Sequence, residues 1–403
     1  MPIYCAQAVL TNWALPARSR ISTGSRGVQL PGWLRDRWRR WRNAKLLDPL
    51  VQRKLSGFWL TRRRAQREAA ETFDLVAGFV YSQVLLACHR LGVLTQLRDG
   101  PVPHSRLLST LDLSPEAGLT LLRAAEALDL LECDESDRNE VNWWLGSKGA
   151  ALLGNAGALA MIEHHAVLYR DLGDPVALLR SPRGSTELAR YWPYATADTP
   201  SGAAPEQIQA YTTLMAASQG LVADEILDAY EFGRHRRILD IGGGDGTFLR
   251  QVRKRAPQAQ LVLFDLPAVA AEARRQFGEA SRVECVGGDF EHDALPAGAD
   301  LITLVRILHD HDDGLAKSLL HRAAAALAPG GCLIVAEPLA GTPGAVRMGN
   351  AYFGLYLWAM GSGRARTAAE ISAWMREADL VDIEERPTRI PLQTRVLVAR
   401  RPS

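Results

Sequence analysis

The chain has 403 residues, is 47% apolar and carries a formal net charge of +2, which is enough apolar material for two domains with cores of their own. No uninterrupted apolar run approaches the roughly 18–20 residues of a membrane-spanning helix, and the N-terminus lacks the successive charged, apolar and cleavage regions of a secretory signal. Five cysteines (Cys5, Cys88, Cys133, Cys285, Cys332) are scattered and never spaced C-x-x-C, which argues against a disulfide framework or zinc knuckle and fits a reducing cytoplasm.

The near-neutral total hides an asymmetry. Residues 1–70 hold 15 Lys/Arg against three Asp/Glu, and five of the ten tryptophans. In "PGWLRDRWRRWRNAK" Leu34, Trp38 and Trp41 recur at helical spacing among arginines, the pattern of a helix on an anionic membrane surface. The same composition is compatible with a tail that meets a partner, or with aromatics stacked on RNA bases. Peripheral membrane contact through residues 1–70 is the preferred reading, and nucleic acid the least favoured.

From "AAETFDLVAGFVYSQVLLACHRLGVLTQL" onward the apolar spacing is helical. "LDLSPEAGLTLLRAAEALDLL" reads as a helix-turn-helix with Ser114 as N-cap and Pro115 at the first helical position, and "CDESDRNEVNWWLGSKGAALL" as a short wing after it. DNA binding is a weak inference here, because the second helix offers one arginine, Arg123, where a recognition helix needs several contacting side chains. A buried or dimer-forming helix is preferred. "SPRGSTELARYWPYATADTPSGAAPE" reads as a loop.

The texture then changes. "RRILDIGGG", "QLVLFDL", "RVECVGGDF", "ADLITLVRIL" and "GCLIVAEPL" are short apolar strands separated by helical stretches, which predicts a Rossmann-like parallel sheet with helices on both faces. "VDIEERPTRIPLQTRVLVARRPS" adds a terminal antiparallel hairpin, since its short connection permits nothing else. The predicted division is a basic extension over 1–70, a helical winged-helix-like segment with a buried or dimer-forming helix over 71–225, and an α/β domain over 226–403.

In "ILDIGGGDGTF" Gly242, Gly244 and Gly246 follow a strand and precede a helix. A nicotinamide site wants G-x-G-x-x-G/A, which this spacing fails. Asp265, followed by Leu266, ends the next strand, where a carboxylate accepts both hydroxyls of a ribose. Asp289 and Phe290 end the third, where an acid accepts from an adenine amino group and a ring covers the base. Glycine loop, two strand-end acids and terminal hairpin together point to S-adenosylmethionine, although each residue alone also serves as an ordinary turn or cap.

"ILDIGGGDGTFL", "LFDLPAV", "GGDF", "LHDHDDG" and "LAPGGCLIVAEPL" together resemble the class I small-molecule O-methyltransferases, which include plant phenolic and bacterial polyketide enzymes. The resemblance covers about residues 70–403. Within that family "AYFGLYLWAMGSGRARTAAEI" and the basic arm are most similar to the hydroxyneurosporene (demethylspheroidene) O-methyltransferases of bacterial carotenoid synthesis. The resemblance implies a homodimer that methylates a small, apolar, hydroxylated acceptor, at the inner or photosynthetic membrane if the arm binds there. The rivals are a soluble phenolic or polyketide O-methyltransferase and a winged-helix DNA-binding protein with a ligand-sensing fold.

A neutral imidazole beside an acceptor hydroxyl takes its proton as the bond to methyl forms. The resemblance places His309 in that role, with Asp310 beside it and Glu337 orienting the ring. Two departures stand out: His311 replaces the family's usual Trp, and Ala365 in "GRART" replaces its second glutamate. His309 and His311 also have the spacing of a metal pair, but no third ligand supports a catalytic metal. Asp312 and Asp313 read as caps of the next helix. An acceptor pocket is expected from Tyr352, Phe353, Tyr356, Trp358 and Met360 with Trp192 and Met215, although an aromatic stripe at helical spacing equally describes core or a dimer contact.

Overall fold

The computed structural model describes residues 31–136, 140–192, 218–278 and 281–403. Its Cα packing divides the chain into two compact units, Met1–Ala87 and Cys88–Ser403. Met215 and most of the predicted loop lie outside the described residues.

In the first unit the basic sequence is helical from Gly32 to Leu46 and from Pro49 to Gly57. Asp48 starts the second of these helices, its carboxylate accepting from the Leu50 N–H at 2.9 Å ahead of Pro49 at the first position. The first helix buries no side chain; Trp33 and Trp59 are exposed, while Arg42 stands over Trp38 at 5.0 Å.

The helix Arg62–Arg90 corrects one expectation. It runs 29 residues and, among the described residues, is the one helix long and apolar enough by length and composition to cross a membrane. Asp74 interrupts the run, which hid it from a search for unbroken apolar stretches. Phe73, Leu75, Val76 and Phe79 on it are exposed.

The second unit carries the helices His104–Ser109 and Pro115–Ala127; the stretch read as a helix-turn-helix holds the second of these, and the first lies just before it. Ser114 Oγ accepts from the Ala117 N–H at 3.2 Å, as its N-cap position requires. An antiparallel sheet of β1 (Val102–Pro103), β3 (Asn142–Leu145) and β2 (Leu131–Asp134), in that spatial order, includes the stretch read as a wing, with Trp143 fully buried. The helix Ala156–Asp171 follows. Part of the predicted loop is a short helix, Glu187–Tyr191, started by Thr186 Oγ1 accepting from the Ala189 N–H and anchored by Asp171 accepting from Glu187 and Leu188.

The remainder is a doubly wound sheet. Its strands are β4 (Arg237–Ile241), β5 (Gln260–Asp265), β6 (Val283–Gly287), β7 (Ala299–Val305), β8 (Leu327–Glu337), β9 (Val381–Arg386) and β10 (Arg395–Arg400). The order is β6-β5-β4-β7-β8-β10-β9, parallel through β8, with β10 antiparallel to both neighbours. Apolar residues of both strand faces are buried in two layers. One carries the helices Asp313–Ala326 and Ala368–Glu377; the other carries residues 218–229 with the helices Thr247–Arg255 and Pro267–Phe277. Because β4 lies between β5 and β7, chain order reverses there, and the crevice at the carboxyl ends of β4 and β7 is where such a sheet binds ligands.

Candidate active site

At that switch point Gly242, Gly244 and Gly246 all hold positive φ, at 70°, 58° and 80°. Gly242 is the demanding position. A Cβ there would stand 2.3 Å from Ile307 Cδ1, so the loop after β4 and the loop after β7 meet backbone to side chain. At Gly244 an added Cβ would meet nothing within 4 Å, leaving space open over the loop.

Asp265 ends β5 and ties the loop to it. The Gly244 N–H donates to Asp265 Oδ2 at 2.8 Å and the Leu266 N–H to Oδ1 at 2.7 Å. Burial pushes the Asp265 carboxyl up to about 6, against those two donors, which pull it down. Beneath it Asp240 is pushed up to about 7 by burial, with the Thr303 hydroxyl donating to it at 2.6 Å and the Asp265 charge adding to the rise. Asp289 lies just beyond β6 and accepts from the Glu291 N–H at 2.8 Å, while the half-buried Phe290 ring meets His311 edge-on at 5.2 Å. The imidazole that replaces the family's Trp therefore packs against the ring predicted to cover the base.

A short turn, Leu308–Asp310, follows β7 and carries the buried His309. Glu337, the last residue of β8, is buried beside it. Its Oε2 pairs with His309 Nδ1, while Oε1 accepts from the backbone N–H groups of Ile307 (2.9 Å) and Leu308 (2.7 Å). One carboxylate thus fixes both the ring and the loop bearing it. Asp310 Oδ1 lies 3.1 Å from Nε2. Burial alone lowers the imidazole pKa, but Asp310 and Glu337 outweigh it and the net direction is upward from 6.5.

Asp312 is at the N-cap of the helix Asp313–Ala326 but does not cap it, contrary to expectation. Its carboxylate accepts instead from the Gly363 N–H at 3.0 Å and from Arg183 at 3.2 Å. Asp313 lies inside the helix and pairs with Arg364 and Arg366.

Trp192, Tyr352 and Tyr356 come together in one apolar cluster with Phe353, Trp358 and Met360. Tyr352 and Tyr356 stack at 5.7 Å, and Phe353 links them to the site, its ring 5.9 Å from His309 and 5.2 Å from Tyr352. The six residues Arg347–Tyr352 form a π-turn, which leads directly into the helix Phe353–Met360.

Sequence reasoning missed the partners of these phenols. His164 Nε2 bonds the Tyr356 hydroxyl at 2.8 Å and His165 Nε2 bonds that of Tyr352 at 2.7 Å. Burial lowers both imidazoles, His164 to about 4, so both are neutral near pH 7. A histidine doublet on an apolar helix was the available signal. Arg306 was missed as well: it holds φ +60° just after β7, and its guanidinium donates to Ser218 Oγ at 2.7 Å.

A glycine loop at the switch of a seven-stranded sheet with a reversed terminal hairpin, and a carboxylate-held imidazole on the next loop, define the methyltransferase class of doubly wound folds. An O-methyltransferase domain model matches residues 169–380. The chain is 43% identical over 393 residues to demethylspheroidene O-methyltransferase of Cereibacter sphaeroides, covering 96% of this chain and 98% of that one. It is 40% identical to the Rhodobacter capsulatus protein of the same name, covering 85% and 84%. The solved structure of human N-acetylserotonin methyltransferase in complex with S-adenosylmethionine superposes with a TM-score of 0.69 at 22% identity, over 83% of this chain and 98% of that one. The chain belongs to the O-methyltransferase family and is a methyltransferase enzyme.

Proposed function

We propose that this enzyme transfers a methyl group from S-adenosylmethionine to the hydroxyl of a hydroxylated carotenoid of the hydroxyneurosporene or demethylspheroidene type. The observation that carries the acceptor is the 43% identity to a demethylspheroidene O-methyltransferase along nearly the whole of both chains. The apolar cluster beside His309 supports it, because its Tyr and His polar tips are spent on one another and leave ring faces for a hydrocarbon.

The residues present fit the cofactor. The space over Gly244 is open, and Asp265 has spent only two of about four lone-pair directions on backbone donors. Gly242, Gly244, Asp265 and Leu266 would hold its ribose and tail, and Asp289 and Phe290 its adenine. When bound, the cofactor supplies a methyl group on a sulfonium, open to in-line displacement.

His309 is the general base in this reading. With Nδ1 engaged by Glu337, Nε2 is the nitrogen that takes the acceptor's proton, and Glu337 stabilises the charge that develops. Asp310 faces the same nitrogen, so it favours the imidazolium while no acceptor is present. Phe353, Tyr352 and Tyr356 exclude water from the reacting oxygen.

The working partition is the basic extension 1–70 on a membrane surface, a dimerisation domain over 71–225 and the cofactor domain 226–403. The exposed aromatic and basic helices of the extension support the first role, and the exposed apolar residues of the helix Arg62–Arg90 support association with a second copy. Purified protein given labelled cofactor and, in parallel, hydroxylated carotenoid in liposomes or simple phenols tests the proposal. Methylated carotenoid is the expected product, and turnover of phenols alone overturns the acceptor assignment. Deletion of residues 1–60 should release the protein from anionic liposomes while cofactor binding persists; unchanged flotation refutes the membrane role.

A further inference from the structure

The segment carrying Ala365 lacks the carboxylate that the resemblance leads one to expect, yet it is bound to the His309 loop at nearly every residue. Arg366 is among the most deeply buried charged groups of the protein, its side chain 1% exposed. Its Nη1 donates to the Leu308 carbonyl at 2.5 Å and Nη2 to the His311 carbonyl at 2.6 Å, so one guanidinium grips the loop on both sides of His309. Nε and Nη2 also donate to Asp313 Oδ1 at 3.1 and 2.8 Å, and the group lies 4.9 Å from the Trp374 ring. Ser362 Oγ donates to the Asp310 carbonyl at 2.6 Å. Gly363, at φ +73°, passes so close that a Cβ would stand 2.0 Å from the His309 carbonyl oxygen. Arg183 closes the arrangement from outside, donating to Asp312 and to the Gly363 carbonyl.

We infer that Arg366, with Ser362 and Gly363, is a positioning device that sets the backbone of residues 308–311 and thereby the aim of the His309 imidazole. The inference rests on His309 as the base and deepens that reading.

A buried ion pair is weak support for stability, since apolar side chains of similar volume often serve a core as well or better. What an apolar residue or a lysine cannot do is present several donors in a rigid planar fork. That fork spans two carbonyls three residues apart, with a charged partner in Asp313 to offset desolvation. Glu337 holds the same loop from the opposite side through the Ile307 and Leu308 N–H groups. The turn is therefore gripped by its donors from β8 and by its acceptors from the 362–366 segment, leaving the ring little freedom. A displacement of about 1 Å in such a group costs roughly 100-fold in rate.

The test is Arg366→Lys, which keeps the charge and loses the fork, together with Ser362→Ala, which alters no charge. Expected for Arg366→Lys is a kcat lower by about 10- to 100-fold, with cofactor affinity by calorimetry and acceptor KM near wild type. The acid limb of the kcat profile should also move to lower pH, because Glu337 and Asp310 lose the alignment that raises the imidazole pKa. Ser362→Ala should show the same pattern at about 2- to 10-fold, the worth of one neutral hydrogen bond. A merely structural role lowers the folded fraction and leaves the position of the limb unmoved; that result in Arg366→Lys overturns the inference. If Arg366→Lys does not fold, Ser362→Ala decides, and wild-type kcat with an unmoved limb overturns it. Failure of the base reading is seen separately, as full turnover in His309→Gln.

Discussion

The proposed cofactor edge and the proposed acceptor side of the site are built by different means. Gly242, Gly244, Asp265 and Leu266 lie on two adjacent parallel strands and the loops that end them, tied where the Gly244 and Leu266 backbone N–H groups donate to the Asp265 carboxylate. The acceptor side joins His164 to Tyr356 and His165 to Tyr352, 192 and 187 residues apart in the chain, through side chains alone. The first kind of geometry follows from strand order and tolerates few backbone changes. The second is a packing arrangement open to re-tailoring, which fits a family whose members share a cofactor and differ in acceptor.

The largest separation of the two sides is expected from His309→Gln. Turnover should fall by about 100- to 10,000-fold while calorimetric cofactor affinity holds; near-normal turnover would refute the base. In the wild type kcat should rise with pH, since the neutral imidazole is the active form and its pKa lies above 6.5; the acid limb should therefore centre above that value. The same ion pairing contributes stability that is complete below pH 6.5 and lost as pH rises through the raised pKa.

Next in size, Gly242→Ala should damage both sides at once. It places a side chain at φ +70°, at a cost of about 1–2 kcal/mol, and pushes on Ile307 in the loop that carries His309. Cofactor affinity and kcat should fall together, each about tenfold; loss of only one would show that the two loops are less coupled than their contact implies. His164→Leu removes the imidazole that bonds the Tyr356 hydroxyl, a penalty of about 1–3 kcal/mol. Acceptor KM should rise without change in cofactor affinity, and an unaltered KM would remove this pair from the acceptor side.

The smallest effect is expected at Asp240. Its folded pKa near 7 exceeds the ordinary 3.8, so the folded state retains a proton that the unfolded chain has released, and stability falls as pH rises from about 4 to 7. Asp240→Asn should therefore raise the melting temperature at pH 8 by a few degrees, roughly 2–4 °C per kcal/mol, and do little at acidic pH. A pH-independent change would refute the buried carboxyl as its origin.

Legibility followed the same division. The strands, the loop "GGGDG", the strand-end Asp265 and the terminal hairpin were readable because each obeys a short-range rule: apolar runs, glycine turns, connection length. Asp312 misled because a cap position does not oblige a side chain to cap when the charged Arg183 and the Gly363 N–H engage the carboxylate from another segment. The spanning-length helix Arg62–Arg90 escaped because Asp74 breaks the run without breaking the helix. Arg366 was indistinguishable from any surface arginine, since its two carbonyl partners lie on a different loop.

By itself the amino-acid order determined the doubly wound architecture, the place of the glycine loop and the chemical kinds of side chain available at strand ends, because these depend on neighbours a few residues away. Only the tertiary structure decided that Glu337 meets Nδ1 of His309, that Arg366 grips the same turn from behind, and that paired histidines engage the two phenols. Hydrogen bonds between groups far apart in the chain form only once the sheet has set their distance and direction, and no local pattern encodes that meeting.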